Sequence, residues 1–394
     1  MKKIVLIVSF LFLIHIPLIN SQSVNDTTVY LLTCGAGTET YSIYGHSAVR
    51  IVIPEQNSDM VYNWGVFDFS TPNFVWKFAK GRLDYMLVEE SLPQFLSGYV
   101  YEKRNVYSQK LNINPQETEK LVSLIKENLR PENAKYRYDF FYDDCSTRIR
   151  DIFEKAIGSK LLYPPVEKGK MPTFRKMVAN YQNPYQWLQF GIDLIMGSTS
   201  DKEASFRDRM FLPIELQKEL SESVINRSGK MIPLLKNPDV ILNFEPPANK
   251  PVFLTSPVSI FTVLMIVIII LSGILKNKKH IKLLDIVLFT IFSVLAVLMI
   301  FFNFFTDNLQ MKWNLNLIWL NPVIVICLIS LIMNKSGLIW FRIVFYVSLV
   351  FLVLHYILPQ EFNIAFLPLE IIIIIRCLFR AGFKWNQFAP LTKL

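Results

Sequence analysis

The stretch YDDCSTRIRDIF, Tyr142 to Phe153, sets one cysteine behind two aspartates at the start of an amphipathic segment. Ile149, Ile152, Phe153, Ala156 and Ile157 fall on one face of a helix predicted over 145–157. Asp143 or Asp144 is its expected cap and Gly158 its stop. Cys145 therefore lies in or near a first turn, where unpaired N–H groups and the positive dipole end favour the thiolate, the reactive form of cysteine. The adjacent carboxylates oppose that effect, so such a thiol needs a base. Of the four histidines, His15 lies in an N-terminal apolar segment, and His280 and His355 lie in an apolar C-terminal third. Only His46 remains in the region between, at the start of a predicted strand, to act as the base of Cys145.

Two other readings stay open on the residues alone. His46 is equally a structural strand histidine. Cys34 and Cys145, the only thiols in the region, form a possible disulfide pair. Cys327 and Cys377 sit in the apolar third and read as small buried residues. One histidine and two cysteines without a C-x-x-C or H-x-x-x-H pairing make no metal set. No phosphate loop or dinucleotide fingerprint is present, and no cofactor is expected.

The elements that must position these residues read as α+β. DTTVYLLTC (26–34), GHSAVRIVI (45–53) and MVYNWGVFDF (60–69) are predicted strands. NINPQETEKLVSLIKENL is a predicted helix with Asn114 as cap, Pro115 in its first position and Glu117 three residues after the cap. The 181–243 segment mixes helix and loop, and its GSTSDKEASFRD portion (197–208) is polar enough to be expected mobile. Phe140, Phe141 and Tyr142 read as core.

The ends set the compartment. More than half of the 394 residues, 52%, are hydrophobic, too many for an ordinary soluble protein, and they cluster at the termini. Residues 1–22, with Lys2 and Lys3 before an apolar run, read as a signal peptide or an uncleaved anchor, and either one exports the region beyond it. A globular domain is expected over 23–243, a proline-rich linker over 244–256, a membrane domain over 257–380 and a cytoplasmic tail over 381–394. Five spans are expected: 257–275, 283–305, 315–333, 338–357 and 364–379. Basic residues follow the first, third and fifth spans. Lys312 is the one basic residue on the other side, so the globular domain lies outside. Trp313, Trp319, Trp340, Tyr356 and Trp385 are placed as interfacial anchors. The net charge of +9 needs no nucleic acid. Inner loops supply part of it, and the rest suits either a domain lying on anionic head groups or a solvated basic surface.

LLTCGAGTETYSIYGHSAVRI followed by YRYDFFYDDCSTRIRD resembles an exported domain family of Bacteroidota, first described without a function, which is similar to circularly permuted papain-like (NlpC/P60-like) enzymes. With five following spans, the chain resembles the lipoprotein N-acyltransferase family called Lnb over about residues 29–379. One position departs from the family pattern: Asp144 stands before the cysteine where Asn is usual, and its charge should raise the thiol's pKa. The resemblance implies a permuted papain-like domain followed by an all-α five-helix transmembrane domain, anchored in the inner membrane. It implies a thiol acyltransferase in which membrane phospholipid is the acyl donor and diacylglyceryl-modified apolipoproteins are the acceptor. Cys145 and His46 are then catalytic. Permuted papain-like folds place a polar residue on the strand after the histidine, so Asn63 and Asp68 are candidates to orient the ring. Arg50 and Arg148 are candidates to meet a lipid phosphate. Two rival functions are a cell-wall peptide amidohydrolase of NlpC/P60 type and a non-enzymatic membrane scaffold held by a Cys34–Cys145 bridge.

Overall fold

The computed structural model describes residues 26–165, 171–245 and 252–382. The expected signal segment, part of the expected linker, and the tail with Lys384 and Trp385 lie outside the described residues.

Among the described residues ten strands alternate side chains between two faces, as pleated backbone requires. They are β1 (Thr28–Cys34), β2 (His46–Ile53), β3 (Ser58–Val66), β4 (Asp84–Ser91), β5 (Val106–Lys110), β6 (Lys135–Arg137), β7 (Leu161–Leu162), β8 (Val224–Arg227), β9 (Lys230–Pro233) and β10 (Asp239–Leu242). Seven form an antiparallel sheet in the order β10-β5-β1-β2-β3-β4-β6, and β7-β8-β9 form a small separate one. One face of the large sheet buries Leu31, Val49, Ile51 and Trp64 with Ile149, Ile152 and Phe153 of the helix Cys145–Ile157. The opposite face buries Leu32, Cys34, Ala48 and Val61 against Phe95 and Tyr99 of the helix Leu92–Tyr101. The helix Pro115–Leu129 starts as its sequence dictates: Asn114 accepts from the Glu117 N–H at 2.9 Å, and Glu117 accepts in return. In the aromatic run, Phe141 is buried and stacks on Phe174 at 4.5 Å, whereas Tyr142 is exposed.

Beyond the linker the chain is helical. Among the described residues three helical stretches, Pro257–Ile274, Lys278–Phe305 and Leu338–Ile357, are long and apolar enough to cross a membrane. At the third expected span the structure instead has two shorter helices, Asn316–Trp319 and Val323–Ile332, separated at Asn321 and Pro322. Proline cannot donate an N–H to the preceding turn, which accounts for the break. At the fifth the helix Phe366–Arg380 has 15 residues. Arg376 and Arg380 both bond Asp285, a buried group on the second long helix, and so tie these helices together.

The 197–208 stretch expected to be mobile is instead held in the seam between the two parts. Its polar groups, which argued for mobility, are consumed in hydrogen bonds. The Gly197 and Ser198 N–H groups donate to the Gln310 and Trp313 carbonyls at 2.8 and 3.2 Å. Ser200 is buried and donates to the Gln310 carbonyl, and Asp201 pairs with buried Arg175. Only glycine fits at 197, because a Cβ there would lie 1.8 Å from the Lys312 carbonyl oxygen. Asn314 donates to the Leu194 carbonyl, and Asn363 to Asp193, on the same seam.

Candidate active site

Cys145 is the first residue of its helix, and Asp144 is the cap. The Asp144 carboxylate accepts from the Thr147 N–H at 2.8 Å, and Thr147 Oγ1 accepts from the Asp144 N–H at 2.7 Å. This reciprocal cap fixes where the sulfur points, because it fixes the first turn. Asp143, by contrast, turns outward to a two-pronged pair with Arg148.

Burial pushes the Cys145 thiol above its ordinary value. The main-chain N–H of Ser47, the Ser146 hydroxyl, and the N–H groups of Ser146 and Cys145 itself pull it back down. The helix start thus supplies thiolate stabilisation through oriented N–H groups, and β2 adds one more.

His46 opens β2 and is half-buried. Its Nε2 lies 2.6 Å from Asn63 Oδ1, and Asn63 Nδ2 lies 3.0 Å from Glu90 Oε1. An ionised carboxylate only accepts, so the Asn63 nitrogen must face Glu90 and its oxygen must face the ring. The ring then carries its proton on Nε2 and leaves Nδ1 as the free base. Enclosure pushes the His46 pKa below its ordinary value, the Asn63 bond pulls it up, and the Arg104 charge lowers it further. Arg104 is itself buried, bonded to the Gly35 carbonyl and stacked on Tyr99.

Gly65 brings base and nucleophile together. It has φ +90° and stands where the β3–β4 register shifts between Trp64 and Val66. A glycine at positive φ in such a bulge bends the strand, a device common beside functional sites. A Cβ placed on it would lie 3.6 Å from Cys145 Cβ, 3.8 Å from His46 Cε1 and 3.9 Å from the Tyr136 hydroxyl. Cysteine, imidazole and tyrosine therefore converge on one missing side chain.

The other candidates fall differently. Asn63 is beside the ring. Asp68 is not: it sits in the exposed turn after β3, and both its oxygens are taken by Ser70, the N–H at 2.8 Å and the hydroxyl at 2.7 Å. That corrects the expectation that Asp68 holds the protonated ring; Glu90, acting through Asn63, occupies that direction. Arg50 is committed to Asp59 on β3 and lies over Tyr30. Arg148 is committed to Asp143 and lies 3.6 Å from the Tyr136 ring centroid. Each guanidinium is held by its carboxylate through Nε and one terminal nitrogen.

Cys34 and Cys145 are both free thiols. They belong to clusters on opposite sides of the sheet, which is why no bridge joins them. The scaffold built on that bridge has no support in the structure. Glu90, Arg104, Gly65 and Tyr136 were not singled out from the sequence. Gly65 had the only visible signal, a glycine interrupting an apolar strand.

The histidine strand precedes the cysteine helix in the chain, and the domain that holds both is fixed to a bundle of apolar helices. That is a membrane protein with a mixed α/β outer domain ahead of its membrane part. Residues 18–180 match the family model described as the Lnb N-terminal periplasmic domain, and residues 248–386 match the Lnb transmembrane domain. The chain belongs to the Lnb family, with a periplasmic domain and a membrane domain in that order. Searches of curated proteins and of solved structures gave no match.

Proposed function

We propose that the protein is an inner-membrane thiol acyltransferase that moves an acyl chain from a phospholipid to the N-terminal amine of diacylglyceryl-modified apolipoproteins. The observation that carries this reading is the Glu90–Asn63–His46 relay, with His46 Cε1 and Cys145 Cβ each within 4 Å of one point above Gly65, on a domain clamped to the membrane part. His46 Nδ1 takes the thiol proton as Sγ attacks the ester carbonyl of the lipid. The carbon–oxygen bond breaks, the lysophospholipid alkoxide leaves with the proton from His46, and a thioester remains. The apolipoprotein amine, with a reference pKa near ~8, then attacks the thioester and gives a proton to His46. The carbon–sulfur bond breaks and the thiolate recovers the proton. The Cys145 N–H is a natural donor to both oxyanions. Chemistry at the membrane face also spares lifting acyl chains through water, at about 0.8 kcal/mol per CH₂. A cell-wall amidohydrolase would gain nothing from that clamp.

The test is purified protein with a labelled phospholipid and a diacylglyceryl-cysteine peptide. The reading expects N-acylated peptide and lysophospholipid in equal amounts. Release of free fatty acid alone, or cleavage of wall peptides without lipid, overturns it.

A further inference from the structure

Four large apolar side chains crowd one short segment of the periplasmic domain and face away from its core. Phe69, Val75, Trp76 and Phe78 are 67%, 77%, 55% and 58% exposed, around the helix Phe74–Ala79. Singly such residues are unremarked, but together they form the kind of patch that marks a contact surface. Its level relative to the bilayer is set by bonds. Trp76 packs on Phe301 at 5.3 Å between ring centroids, and Phe301 lies one turn before the end of the span Lys278–Phe305. Phe304 and Phe305, at that end, are likewise exposed. The Asp307 N–H donates to the Lys80 carbonyl at 2.9 Å, and Arg82 pairs with Asp307 at 2.7 Å. The segment is thereby latched to the chain just where it leaves the bilayer. Lys80 lies 5.0 Å from the Trp76 ring, an aromatic body with a basic head beside it, which suits the headgroup level.

The same segment leads inward. Phe74 meets Phe69 at 5.1 Å, Phe69 meets Phe67 at 4.9 Å, and Phe67 meets Tyr85 at 5.1 Å. Tyr85 stacks on Tyr138 at 4.3 Å and pairs across the sheet with Tyr136. Tyr136 ends this wall with a buried hydroxyl that has no partner, beside Gly65 and Cys145. Such a hydroxyl lacks an acceptor, which a lipid ester supplies.

We propose that residues 69–80 insert into the outer leaflet and that the aromatic wall from Phe78 through Phe74 to Tyr136 guides a phospholipid acyl ester to Cys145. Insertion stands on the geometry alone; delivery rests on the acyltransfer reading.

The experiment uses the full chain in phosphatidylcholine/phosphatidylglycerol vesicles, with nitroxides on Val75→Cys or Phe78→Cys in a Cys145→Ser background. A label on Tyr101→Cys, at an exposed periplasmic position, and one on Ile291→Cys, on an exposed face of a span, set the two limits. Labels at 75 and 78 are expected to favour oxygen over a water-soluble nickel chelate as the Ile291 label does. A response like that of Tyr101 overturns insertion. So does shielding from both agents, which would mean a protein partner such as a second copy covers the patch. In the catalytic protein, Trp76→Ser/Phe78→Ser is expected to lower the ratio of Cys145 acylation from vesicles to acylation from a water-soluble short-chain ester by about tenfold or more. An unchanged ratio overturns delivery. If the unsubstituted protein is acylated by neither donor, the acyltransfer reading fails while the nitroxides still report on insertion.

Discussion

Two cysteines on the two faces of one sheet show what makes a thiol usable. Cys34 ends β1 and lies against Phe95 and Tyr99, and burial pushes its pKa up to about 12 against the pull of the Tyr99 hydroxyl and the Arg104 charge. Cys145, buried on the other face, is raised as well, yet four donors oppose the rise: the Ser47 N–H, the Ser146 hydroxyl, and the Ser146 and Cys145 N–H groups. Burial with one hydroxyl bond and one distant charge leaves Cys34 an inert thiol, whereas several oriented N–H groups at a helix start favour the reactive form of Cys145. His46 is paired across the sheet with Cys34, so proximity in the sheet does not decide which thiol it serves. The bulge at Gly65 does.

The sharpest way to break this comparison is to remove each sulfur. Cys145→Ala should abolish acyl transfer, a loss of at least about 10³-fold, because the nucleophile goes. Cys34→Ala should leave kcat within about twofold and lower thermal stability modestly, by about 1 kcal/mol, as a small buried group is lost. Equal losses of activity in correctly folded variants would mean that the two faces are not distinct.

Next in size is the ring's support. Asn63→Ala removes the bond that fixes the tautomer and should lower kcat by about 10²-fold, with Glu90→Gln about tenfold. Asp68→Asn should stay within about twofold, since its carboxylate serves only Ser70. A larger loss for Asp68 than for Asn63 would reverse the assignment.

The pH dependence arises from His46. The base works only when neutral, and its pKa is lowered by enclosure. Activity should therefore fall as pH drops through a midpoint below the ordinary ~6.5. A rate profile of kcat/KM with its acid midpoint at or above that value contradicts a lowered imidazole.

The smallest effect concerns Asp144. Burial raises its pKa well above the ordinary carboxylate range, with the nearby thiolate adding to the rise and the Thr147 bonds opposing it. Asp144→Asn keeps an acceptor for the Thr147 N–H and removes a carboxyl whose ionisation opposes that of the thiol. Iodoacetamide should then alkylate Cys145 a few-fold faster at pH 7. A slower reaction would mean that the cap, not the charge, dominates.

Legibility in the sequence depends on range. The cysteine helix, its cap and its stop are local, and the sequence pattern matches them to the residue at Cys145 and Gly158. The Asn114 cap is legible for the same reason. His46 emerges from the short histidine inventory of the exported region. Asn63 and Asp68 are inseparable as polar residues of one predicted strand. Their odd separation would put them on opposite faces of an unbroken strand, and β3 ends at Val66 before Asp68 is reached. Glu90 and Arg104 reach the ring from other parts of the chain, and no local pattern encodes such meetings. The polar 197–208 stretch gives a false signal of mobility because its partners, Gln310 and Trp313, lie more than a hundred residues away. Hydropathy alone does not register the proline break in the third expected span.

One measurement tests the central claim most directly: the intact mass of the full chain after incubation with phospholipid vesicles, beside Cys145→Ala. The expected result is a gain of one acyl chain, removed by hydroxylamine and absent from the variant. An unchanged mass, or an equal adduct on Cys145→Ala, would contradict a thioester at Cys145.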